Sequence, residues 1–257
     1  MSGALLAWID TLADEFLAGF VVFFRVGAFA YLLPGFGEQS VPNRIKLGIA
    51  IAFTFIIAPA VNTDFLANSV GALALVSISE ILTGLIFGLG LRLFVLALQT
   101  AGTIAAQSTS LSQLFGGASV DPIPALGYIL VVAAVCLAMM LGLHVKAAQL
   151  LILTYEFLPV GQFATGADVA EWGTAQVGRA FVLAFTLAAP FVILSLLYNL
   201  ALGAINKAMP QLMVAFVGAP FITFGGLFVL FLTAPLMITV WVEALDMYLA
   251  RPMDINP

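Results

Sequence analysis

Between residues 70 and 98 the chain carries only two ionisable side chains, Glu80 and Arg92, in a run otherwise made of apolar and small residues. That run exceeds the roughly 20 apolar residues needed to span a bilayer. Apolar and polar positions do not alternate at a period of two, so a half-buried strand does not fit. A helix remains, because in lipid only a helix or a closed barrel satisfies its own backbone groups. Comparable runs cover residues 16–33, 47–61, 125–143 with an apolar continuation to 158, 177–202 and 212–242. The fold class that follows is an all-α membrane protein with about six hydrophobic helical segments. Composition agrees, since 63% of residues are hydrophobic and only 8% charged, against about a quarter charged in soluble domains.

Several function classes lose ground on the same facts. Eight Lys and Arg and a net charge of −5 provide no basic patch for nucleic acid. The single cysteine, Cys136, excludes an intrachain disulfide and a cysteine-built metal cluster, and it reads as a small buried hydrophobe. The first fifteen residues hold acids but no Lys or Arg, opposite to a cleavable signal peptide, so the first segment is expected to stay as a membrane helix. The only histidine, His144, has no Ser, Cys or Asp beside it in sequence, and no phosphate loop, HExxH motif or paired carboxylates occur. The expectation is a protein that is not an enzyme, with no catalytic residues, no cofactor and no metal.

Charges inside apolar runs mark the positions that need partners. Arg25, Glu80 and Arg92 each lie within a span, where an ionised group costs at least ~2.5 kcal/mol. Glu80 and Arg92 stand twelve residues apart, about 18 Å along one helix and about 120° around it, so they cannot pair with each other. Arg25 with Glu80 is the expected intrachain pair. Gly84 and Gly88 form a GxxxG spacing extended by Gly90, while Gly225 and Gly226 with Pro220 and Pro235 are expected to break the last run. Loops are expected at 34–46, at 99–124 and from Pro159 to Gln176. Arg44, Lys46, Arg92 and Lys207 fall on one side and Lys146, Arg179 and Arg251 on the other, a bias too small to orient the chain.

Blocks spread over nearly the whole chain resemble the FliR family of flagellar export proteins and its counterpart in injectisome-type III secretion. They are Arg25; Leu33-Pro34; SVPNRIKLGIAI, with Pro42, Arg44 and Lys46; AGTIAAQ leading to Asp121-Pro122; GLHVKA, with His144; LPVG at 158–161; and YNLALGAINKAMPQLMVAFVGAP, with Asn199, Gly203, Pro210 and Gln211. The resemblance implies a single export-gate domain over 1–257. Residues 1–176 would be a FliP-like part, 177–242 a FliQ-like hairpin and 243–257 a tail, packed as bent hairpins into a helical export-gate assembly. Implied partners are FliP, FliQ and FlhB, exported unfolded flagellar proteins in transit, and membrane lipid, at the bacterial inner membrane within the flagellar basal body. The loop 107–122 would contribute a plug: Gln107, Leu111, Leu114 and Phe115, with Gly116 and Gly117 as permissive backbone. Ser108-Thr109 stands where relatives often carry Met-Gly, which shifts the apolar seal toward the partner subunits. The alternatives are a six-helix secondary transporter or channel, a virulence export component, and a purely structural assembly factor.

Overall fold

The computed structural model describes residues 2–61, 70–109, 125–209 and 214–254. Among them the chain forms seven α-helices: α1 (Ser2–Leu32), α2 (Asn43–Ile57), α3 (Val70–Thr109), α4 (Ala125–Met140), α5 (Leu143–Phe157), α6 (Gly166–Ala208) and α7 (Val214–Ala250). A 3-10 turn, Ala58–Ala60, follows α2, where Pro59 removes a backbone donor. Among the described residues five helices are long and apolar enough to cross a membrane, or six if α4 and α5, bent by 74°, count as one span. The bend falls at Gly142, whose φ of +82° lies in the left-handed region that glycine enters without a Cβ clash.

Three expected boundaries are corrected. The polar stretch after Leu98 does not leave the helix at once, because α3 continues to Thr109. Its alanines and glutamines favour helix against its glycine and threonines, and Thr103 returns its hydroxyl to the Gln99 carbonyl at 2.9 Å. The loop expected up to Gln176 ends ten residues earlier, at the start of α6. Thr165 caps that helix by accepting from the Asp168 N–H at 3.2 Å, and Asp168 adds negative charge to the first turn. The last run is not broken by its prolines and glycines: α7 is continuous from Val214 to Ala250, as membrane helices tolerate the hydrogen bond a proline forfeits.

The chain divides into two compact units. One comprises 1–92, 139–176 and 246–257, the other 93–138 and 177–245. In the first, α1 buries the stripe Val21, Val22, Arg25, Val26, Phe29 and Ala30. On α3, Glu80, Thr83, Gly84, Phe87, Gly88 and Leu91 share one face, and on α5 Leu143, Ala147, Leu150, Leu151, Thr154 and Tyr155 are buried. Gly84 lets α3 touch the α1 backbone: a Cβ there would run into the Arg25 carbonyl, and one on Gly88 would lie 3.0 Å from Leu32 Cβ. The GxxxG spacing is therefore the α1–α3 contact. Gly90 serves a second approach, to the rings of Tyr248 and Trp172.

In the second unit small residues let helices approach closely. Ala101, Ala105, Ala134 and Ala138 are buried, and Gly127 faces Gly102 closely enough for a Cβ to sit 3.5 Å from its Cα, the kind of approach that substitutes for hydrophobic driving force in lipid. Trp241, fully buried, donates from Nε1 to the Phe94 carbonyl at 2.8 Å. Cys136, expected to be buried, is exposed: the inward face of α4 belongs to Leu130, Ala134 and Ala138, and Cys136 lies off that stripe.

Candidate functional site

In the first unit, the apolar stripe of α1 contains one guanidinium with no exposed surface. Arg25 Nε donates to Glu80 Oε2 at 2.8 Å and Nη2 to Glu80 Oε1 at 2.9 Å, a bidentate fork that fixes distance and angle together. Nη2 also reaches the Leu158 carbonyl at 2.8 Å and Nη1 the Thr154 hydroxyl at 3.3 Å. The Tyr155 ring stacks on the guanidinium, its centroid 3.8 Å from Cζ, a contact that favours a desolvated cation. Glu80, equally buried, accepts in addition the Gly161 N–H at 3.2 Å.

The local chain explains how these groups converge. Thr154, Tyr155 and Leu158 are one turn of α5 and its end, where the Leu158 N–H closes on the Thr154 carbonyl at 2.9 Å. Gly161 turns the chain with φ +78°, and a Cβ there would press Val76 at 3.1 Å. One ion pair thus ties α1, α3, α5 and the turn after α5. Both Glu80 oxygens are held by donors.

Further polar ties hold the same unit. Arg92 Nη1 pairs with Glu38 at 2.6 Å, half-buried, fastening the turn after α1 to α3. Lys46 Nζ donates to the Gly37 carbonyl at 3.0 Å and lies 4.6 Å from the Tyr31 ring centroid. Lys146 forks onto Asp246 at 2.7 and 2.8 Å, Trp172 donates to the Pro252 carbonyl at 2.8 Å, and Tyr248 donates to the Phe87 carbonyl at 3.0 Å. The last three dock the C-terminal segment.

The other expected residues distribute as follows. Pro42 precedes α2 and its carbonyl accepts from Ile45 and Lys46. Arg44 and His144 are exposed in the first turns of α2 and α5. Asn199 is exposed on α6 and donates to Ser195 at 3.3 Å. Gly203 is also exposed, with nothing within 4 Å of a Cβ, and Gln107 is exposed near the end of α3. Leu111, Leu114, Phe115, Gly116, Gly117, Pro210 and Gln211 lie outside the described residues. Among the described residues, no group of three or more His, Cys, Asp or Glu could hold a metal.

Glu38, Thr154, Tyr155 and Asp246 were not singled out by sequence reasoning, and Leu158 and Gly161 were marked only as part of the block LPVG. For Asp246 the signal is shared, since Glu243 and Asp246 both follow the apolar run 212–242 and the sequence does not choose between them.

Long apolar helices and a buried ion pair define an integral membrane protein of helical type. The model for bacterial export proteins, family 1, matches residues 16–248. The flagellar biosynthetic protein FliR of Caulobacter vibrioides is 33% identical over 227 residues, covering 87% of this chain and 90% of that one. FliR of Escherichia coli is 33% identical over 202 residues, 76% of each chain, and FliR of Aquifex aeolicus 28% over 233 residues, 88% of each. The chain belongs to the FliR family of bacterial export proteins.

Proposed function

We propose that this chain is a core subunit of the flagellar type III export gate in the bacterial inner membrane, within the flagellar basal body. With FliP and FliQ it forms the passage for unfolded flagellar proteins, and FlhB associates with the entrance. Residues 1–176 act as a FliP-like part, 177–242 as a FliQ-like hairpin, and the segment around 107–122 contributes a plug. The chain is wall, plug and docking surface rather than catalyst.

The observation that supports this reading best is helix length. α3, α6 and α7 have 40, 43 and 37 residues, or about 55–65 Å at 1.5 Å per residue, roughly twice the ~30 Å hydrocarbon core. The apolar runs they carry, 70–98, 177–202 and 212–242, would extend about 39–47 Å as helix, so more apolar length is present than lipid can cover. On α6 and α7 large side chains such as Phe181, Phe185, Leu197, Phe224 and Phe231 are exposed. Apolar surface extending past the bilayer needs protein to cover it, as a multi-subunit gate would. The relatives named above carry flagellar names, which favours the flagellar system over a virulence one.

The test is deletion of residues 111–118. The variant should still co-purify with FliP-like and FliQ-like proteins, while cells carrying it become leaky to ions and small dyes. An assembled complex no leakier than wild type counts against the plug, and a wild-type chain that fails to co-purify with co-expressed FliP-like and FliQ-like proteins counts against the gate.

A further inference from the structure

Within the first unit, α1, α2 and α3 enclose a groove of about 450 Å³. Its lining is apolar almost throughout, with Lys46 and Asn43, one turn apart on α2, at one end, where Lys46 lies against the Tyr31 ring of α1; Phe23 and Phe24 line it farther along α1, Phe23 about 12 Å from Tyr31 at the helical rise. α3 supplies the third wall. We propose that this groove binds one anionic phospholipid, with an acyl chain along Phe23, Phe24 and the α3 wall and the phosphate at Lys46.

Charge selects the occupant. Among the described residues neither Lys46 nor Arg44, exposed two residues earlier, has a carboxylate within salt-bridge distance, and Glu38, the acid of the adjoining turn, is held by Arg92. Lys46 uses one donor on the Gly37 carbonyl, and an ammonium has three. A tyrosine and a lysine side by side at the end of an apolar helix sit at headgroup depth, where basic side chains attract anionic lipid. With no carboxylate left to receive an ethanolamine or choline cation, the polar end favours a net negative headgroup over a zwitterionic one.

The full-length chain, purified in mild detergent, is mixed with phosphatidylglycerol or phosphatidylcholine and bound lipid is counted by native mass spectrometry. Wild type should retain one phosphatidylglycerol at concentrations at least tenfold below those needed for phosphatidylcholine. Lys46→Gln, which keeps a donor for the Gly37 carbonyl but not the charge, should bring the two lipids level. Gly27→Leu, placing a side chain in the groove where only the Phe23 ring lies within 4 Å of a Cβ, should abolish retention of both, with helicity by circular dichroism confirming that each variant is folded. Equal retention of the two lipids by wild type, or an unchanged preference in Lys46→Gln, overturns the proposal. So does a photo-crosslinker at Leu47 that captures protein instead of phosphatidylglycerol in native membranes.

Discussion

Replacing Glu80 by Gln should lower the stability of the chain by about 3–5 kcal/mol, because it leaves the Arg25 guanidinium buried and uncompensated. The replacement has almost the same volume, so the loss is electrostatic rather than a cavity effect. Arg25→Met should cost a similar amount from the opposite side, stranding the Glu80 carboxylate. Arg25→Met combined with Glu80→Leu should recover much of the loss, as apolar pairs of matched volume often replace buried ion pairs at little cost. Recovery will be incomplete. The Leu158 carbonyl and the Gly161 N–H, now partnered by Arg25 and Glu80, would be left unsatisfied at about 1–3 kcal/mol each. Reversible unfolding in mixed micelles, followed by helicity, gives the cycle directly. Two single variants unfolding at the wild-type midpoint would show that the pair carries no stability.

How much of this was readable beforehand differs by residue. Arg25 and Glu80 were visible because each is an isolated charge in an apolar run, and such charges need partners. Their remaining contacts were hidden, since a carbonyl at Leu158 and an N–H at Gly161 exist at every position and acquire a role only through the turn that aims them. Arg92 was equally conspicuous, but its partner Glu38 sits in a polar turn where an acid attracts no notice. Hydropathy also misplaced helix ends at 99–109 and 166–176, because polarity reports where lipid contact stops and not where a helix stops. Residues such as Ala, Glu and Gln continue a helix well into water. For Cys136, an apolar run on all sides leaves no period from which to read the inward face. The proposed plug residues past Gln107 rest on the family resemblance alone.

Gly84→Leu should separate α1 from α3 and abolish the folded first unit. Even Gly84→Ala should destabilise, although alanine exceeds glycine in helix propensity by up to about 1 kcal/mol. The opposing effect is larger, since the added methyl meets the Arg25 carbonyl, a backbone atom that cannot rotate aside, and overpacking of this kind costs about 1–3 kcal/mol. The damage also spreads: Gly84 lies one turn beyond Glu80, so pushing α3 off α1 there stretches the forked Arg25–Glu80 bonds, whose strength depends on short, aligned geometry. Coupling is therefore expected, and Gly84→Ala should cost less in the Arg25→Met/Glu80→Leu background than in wild type. Gly173, with nothing within 4 Å of a Cβ, is the control inside α6, where alanine should be neutral or stabilising. If Gly84→Ala and Gly173→Ala shift the unfolding midpoint alike, helix propensity dominates at both sites and the α1–α3 contact is looser than its geometry indicates.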